Sequence, residues 1–91
     1  MMKNTVTEKD IKYLMDSSKK EVMTVGDKTT IVVVTLPNGF VITESSSCVD
    51  PSNYNEELGT SICLERIENK LWELEGYRLQ SKIYEDSMLT T

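Results

Sequence analysis

Arg66, Asn69 and Lys70 fall within about one turn of any helix that carries them, and Trp72 and Tyr77 follow close behind. A guanidinium and an ammonium are the groups that hold phosphate, and flat aromatic faces are what a nucleobase stacks on. The residue types therefore suit a small nucleotide-like anion. The same residues have a plainer reading: Trp72 at helical spacing packs a core, and Arg66 and Lys70 pair with Glu65, Glu68 or Glu73 on a solvated face. Upstream, Thr43, Ser45 and Ser46 offer hydroxyls that could meet a phosphate or base edge, or belong to a flexible connector. Tyr13 lies off the apolar stripe of its own segment, so its ring meets a rim, another protomer or solvent.

What the chain lacks narrows the chemistry. It contains no histidine, which excludes a Ser-His or Cys-His nucleophile and a zinc-bound water on histidine ligands. Carboxylate-only catalysis on a divalent cation stays open. Cys48 and Cys63 have neither metal spacing nor the context of a disulfide scaffold, and both read as small buried hydrophobes. There is no Gly-rich phosphate loop and no nucleophile elbow. The expectation is a protein that is not an enzyme, with no cofactor and no metal.

The net charge of −5 argues against a DNA or RNA polymer as partner, because such affinity rests on basic surface. With 38% hydrophobic and 27% charged residues, the 91-residue chain reads as one globular domain over residues 1–91. A core this small favours a homo-oligomer, dimer or tetramer. No apolar run is long enough to span a membrane, and the N-terminal segment has no apolar centre of the signal-peptide kind. A cytoplasmic, membrane-free protein is expected.

The elements that must position these residues are α+β. Thr7 and Asp10 resemble a capping box, and Ile11, Leu14 and Met15 follow as an apolar stripe, predicting a helix over residues 8–19. A turn at residues 25–28 precedes a β-branched run over residues 30–36. That run does not alternate, which predicts burial on both faces and hints at a subunit interface. Asn38-Gly39 is a hairpin signal, with the returning strand at residues 40–43 and a loop from Glu44 through the serines. Asp50-Pro51 predicts the start of the main helix, with Asn53 as a second possible cap. Leu58, Ile62, Cys63, Ile67, Leu71 and Leu74 give that helix one apolar face to about Glu73. Gly76 is placed as its C-cap, Tyr77 to Leu79 as extended or a short further element, and residues 85–91 as a frayed polar tail. Gly59, inside the helical pattern, is explained by a close contact.

The central motif series resembles a known family. Asn38-Gly39-Phe40, then Cys48-Val49-Asp50-Pro51, then Asn53-Tyr54-Asn55 with Glu57 and Gly59, and finally Lys70-Leu71-Trp72 with Leu74-Glu75-Gly76-Tyr77 are similar to the gp-forty-nine/gp-sixty-six family of tailed phages. The likeness covers about residues 30–79. It departs where such proteins usually carry Gly-Glu after the second strand and this chain has Glu44-Ser45. The resemblance implies a helix, a β-hairpin and a long helix. Phage proteins of similar size and layout are sponges that sequester the cyclic dinucleotides of CBASS defence as small oligomers, cyclic GMP-AMP being one such signal. What this implies here is anti-CBASS immune evasion in the host bacterial cytoplasm, with a cyclic dinucleotide held between protomers and left uncleaved. On this reading the aromatic rings of Tyr13, Trp72 and Tyr77 would stack bases, Arg66 and Lys70 meet phosphates, Thr43, Ser45 and Ser46 hydrogen-bond the ligand, and Asn69 belong to the same ligand-binding set. The alternative is an acidic phage effector that binds and inhibits a host protein, and a signal-cleaving hydrolase is a third reading.

Overall fold

The computed structural model describes residues 3–89. In chain order it contains helix α1 (Glu8–Ser17), strands β1 (Lys19–Val25), β2 (Thr29–Thr35) and β3 (Val41–Ser47), a single 3-10 turn (Pro51–Asn53) and helix α2 (Glu56–Leu89). The fold is α+β, with an antiparallel sheet in the order β1-β2-β3.

α1 begins as its sequence dictates. The Asp10 amide donates to Thr7 Oγ1 at 3.3 Å and the Thr7 amide donates to Asp10 Oδ2 at 2.8 Å, satisfying two donors that the first turn leaves open. Ile11 and Met15 point inward and are buried. The helix ends at Ser17 rather than at residue 19, because Ser18 is already extended and Lys19 opens β1. The sequence gives little warning of β1: every one of its residues is exposed, so it lacks the half-buried alternation that marks a strand. Backbone pairing to β2 holds it, from Lys19 opposite Thr35 to Val25 opposite Thr29.

The hairpin predicted at Asn38-Gly39 is present. Gly39 takes φ 93°, and the Asn38 side chain accepts from the Phe40 amide at 2.9 Å. β3 runs longer than expected, through all three serines to Ser47, so this segment is strand and not loop. It pairs with β2 from Thr35–Val41 to Thr29–Ser47, and the Thr29 and Ser47 hydroxyls bond across the strands at 2.8 Å.

β2 alternates in burial despite its unbroken β-branched sequence. Thr30, Val32 and Val34 are buried under α2, while Ile31, Val33 and Thr35 are only half-buried on the other face. The expectation of burial on both faces is corrected for the single chain: one layer of helix covers one side, and among the described residues no second layer covers the other. The core is Ile11, Met15, Val32, Val34, Leu36, Ile42, Cys63, Ile67 and Leu71.

α2 starts later and ends much later than its sequence suggests. Asp50 caps the 3-10 turn, its carboxylate accepting from the Ser52 amide at 2.9 Å, and Tyr54 then returns to extended backbone. The long helix is capped instead by Asn55, whose Oδ1 accepts from the Leu58 amide at 3.1 Å. Gly76 is no C-cap: it lies inside α2 and has no left-handed φ. Residues 77–79 and the supposedly frayed stretch 85–89 are helical, and residues 90 and 91 lie outside the described residues. At 34 residues the helix is about 51 Å long, and the whole chain measures 62 × 19 × 19 Å. No helix among the described residues is long and apolar enough to cross a membrane.

Candidate functional site

The position of α2 over the sheet is set at one close approach. Gly59 sits above Thr30, and a methyl group on Gly59 would press on the Thr30 hydroxyl and lie 2.9 Å from its Cβ. The Thr30 hydroxyl is fully buried and shares a hydrogen bond of 2.6 Å with Tyr54 Oη, which also meets Thr24 Oγ1 at 2.8 Å. Tyr54 therefore ties two strands together just before the helix starts. One turn after Gly59, Cys63 is buried with its Sγ 3.9 Å from the Thr30 carbonyl, and burial pushes its thiol pKa up. The motif Asn53-Tyr54-Asn55 with Gly59 thus has a physical content: cap, tether and close contact.

That placement brings the side chains of α2 down onto β3. Glu44, on the helix-facing side of β3, pairs with Lys70 and lies 4.0 Å from Arg66 Nη1. Arg66 Nη1 also donates to the Ser45 carbonyl at 2.8 Å. Glu44 has ordinary strand geometry, so the local backbone is unstrained, and its carboxylate pairs with the two cations. Two cations share the Glu44 carboxylate, and Glu73 lines the adjoining groove, so the charges of the four groups balance. Beside this cluster runs an open groove of about 400 Å³ lined by Phe40, Val41, Ile42, Thr43, Lys70, Glu73 and Leu74. It offers an ammonium, a carboxylate and an aromatic ring together, whereas Thr43 borders it with its side chain on the outer face of the sheet, like Val41.

The nine residues singled out from sequence do not share one surface. Thr43 and Lys70 line the groove, and Arg66 and the Ser45 backbone adjoin it. Asn69 is exposed on the next position of α2. Ser46 lines a separate cavity of about 100 Å³ near Tyr54 and Gly59. Trp72 is six residues past Arg66, about a third of a turn round the helix, and is 39% exposed. It faces α1 across a second groove of about 510 Å³, lined by Glu8, Ile11, Lys12, Met15, Asp16 and Glu68. That groove holds three carboxylates and one ammonium, and Lys12 is paired with Asp16 at 2.8 Å. Its charge opposes a phosphate. Tyr13 and Tyr77 stand out into solvent, 69% and 77% exposed.

Phe40 is the residue that sequence reasoning passed over. It lines the same groove as Lys70 because the hairpin turn that follows Pro37 brings the start of β3 alongside α2. The signal was its place directly after Asn38-Gly39, where a large exposed apolar residue has no hairpin role. Among the described residues, no group of three or more Cys, Asp or Glu side chains is placed to hold a metal ion.

Comparison with known proteins gives one match. The model of the phage protein (N4 Gp49/phage Sf6 gene 66) family matches residues 1–83, nearly the whole chain, and the chain belongs to that family. No curated protein and no solved structure matches it.

Proposed function

With membership of this phage family as the premise, we propose that the protein binds and sequesters a cyclic dinucleotide of bacterial CBASS defence without cleaving it, acting as a homo-oligomer in the host cytoplasm. The observation that carries this reading is the juxtaposition of Lys70 and Arg66, sharing one carboxylate, with the Phe40–Thr43 end of β3 in a single groove. The Lys70 ammonium and Arg66 guanidinium suit a phosphodiester, and Phe40 offers a stacking face. The groove is open to solvent, so tight retention needs a wall from elsewhere, and a second copy would supply it. Two apolar surfaces stand uncovered on one protomer: the outer face of the sheet, with Met23, Val25 and Val41, and the projecting half of α2. Two self-complementary surfaces are what a tetramer of dihedral symmetry uses. The likeness in size and layout to the phage cyclic-nucleotide sponges supports the same reading.

The test is a calorimetric titration against a panel of cyclic di- and trinucleotides, followed by release of the ligand on heating and analysis of its integrity. Submicromolar binding, intact nucleotide and loss of at least tenfold in affinity in Lys70→Ala are expected. Absence of binding across the panel would reject the sponge. The second reading, an effector that docks on a host protein, draws on the exposed acids Glu56, Glu57, Glu65, Glu68 and Glu73 along α2, and a stoichiometric host partner in a pull-down would favour it.

A further inference from the structure

We propose that the projecting half of α2 docks on a second copy of this chain, the two helices running antiparallel about a two-fold axis near Ser81. Leu74, Tyr77, Ser81, Tyr84 and Met88 recur at alternating steps of three and four, the spacing of a helix-pair seam. Leu74 is 41% exposed, Tyr77 77% and Tyr84 62%. No described residue of α2 beyond Leu71 is buried, although Leu74, Glu75 and Arg78 still border the hairpin and α1.

The stripe fits a reversed copy of itself, and this favours a second copy over a foreign partner. Antiparallel pairing about Ser81 sets Leu74 of each copy near Met88 of the other and Tyr77 near Tyr84. It also sets Arg78 near Glu85, an opposite-charge pair made twice by the symmetry. Ser81, at the axis, is small enough for the helices to approach closely. Pairing from residue 74 to 88 buries on the order of 1,000 Å² in total, near the lower bound for a specific interface. Leu74 also lines the Phe40–Lys70 groove, so the helix end of each copy would wall the groove of the other. The assignment rests on the oligomer of the preceding reading and not on its ligand.

Light scattering of the full-length chain at micromolar concentration should give a dimer or an even multiple of it. Tyr84→Arg should lower the mass twofold with an unchanged helical circular dichroism spectrum, because the ring is mostly exposed in the single chain. In a Cys48→Ser background, Ser81→Cys should oxidise to a disulfide-linked pair, and Glu65→Cys, on the packed half of the helix, should not. A monomeric unaltered chain would overturn the proposal. So would a Tyr84→Arg chain of unchanged mass, or a Ser81→Cys chain that cross-links no faster than Glu65→Cys. Loss of assembly in Val33→Lys alone, with Tyr84→Arg still assembled, would move the interface to the outer sheet face and overturn it too. A twofold drop in mass with no nucleotide bound by the unaltered chain would keep the interface and reject only the sponge.

Discussion

The two halves of α2 share one continuous helix and differ in what holds them. From Glu56 to Leu71 the helix is fixed by a cap, by the Gly59–Thr30 contact and by three fully buried side chains, Cys63, Ile67 and Leu71. Beyond Leu71 no described residue is buried, and the contacts are shallower: Leu74 borders the start of β3, Glu75 and Arg78 border Leu14 and the hairpin turn, and Arg78 pairs with Glu75 at 2.9 Å. Helical propensity therefore carries the second half where packing carries the first, and an isolated segment of that length is marginal in water. The first half is packed against the sheet, and the second leaves most of its side chains exposed.

The sharpest contrast between the halves is in stability. Leu71→Ala removes a fully buried side chain and should cost about 2–5 kcal/mol, seen as a lower urea midpoint. Ile83→Ala, on the projecting half, should cost less than about 1 kcal/mol in the same titration. Equal losses would mean that the two halves are packed alike and would break the comparison.

Gly59→Ala tests the contact that sets the helix over the sheet. The added methyl gains up to about 1 kcal/mol of helix propensity but meets Thr30, and overpacking of this kind costs about 1–3 kcal/mol. A net loss is expected. Thr30→Ala in the same chain should return part of it, because the two sites are in contact and their effects are not additive. Additive losses would show that the close approach is not what the glycine serves.

Much of the first half was legible in the sequence, and for identifiable reasons. Leu58 to Leu71 follow a helical period, the Thr7–Asp10 box marks the start of α1, and Asn38-Gly39 marks the hairpin. Gly59 stood out because it interrupts a good helical pattern. The second half was misread because Gly76 imitates a C-cap and the polar tail imitates fraying; both are rules about helices that end, and this one continues. β1 was missed because an edge strand with both faces exposed carries no burial pattern. Of the residues singled out by type alone, Arg66 and Lys70 are brought together at Glu44. Phe40 was not singled out, since only the register of the hairpin brings it alongside α2. Trp72 was grouped with Arg66 by sequence proximity, although helical geometry turns it toward α1.

α1 packs near the boundary between the halves, beside Glu68 and Trp72, so loosening it should lengthen the unsupported part of α2. Asp10 makes this sensitive to acid. A hydrogen bond from the Lys3 ammonium, and then one from the Thr7 backbone amide, hold its carboxyl down at about 2, from an ordinary 3.8. A depressed carboxylate adds stability above its unfolded value, and that stability is lost as pH falls toward the folded one. The midpoint of urea unfolding should therefore fall between about pH 4 and pH 2. In Asp10→Asn that acid-dependent part should be smaller. An identical pH profile in the variant would show that the capping box contributes nothing through its charge.

The smallest effect is the one that separates the two readings of Gly76. Were it a C-cap in the left-handed region, Ala there would be strained and the protein destabilised. Inside a continuous helix the sign reverses. A Cβ on Gly76 meets no atom within 4 Å, so Gly76→Ala should stabilise by about 0.5–1 kcal/mol through backbone entropy alone. The gain should appear as increased helical signal and as slower amide exchange over residues 77–84, with exchange over residues 60–71 unchanged, because that part is already held by the core. A stabilised second half with an undisturbed first half is the result that follows if propensity governs one and packing the other.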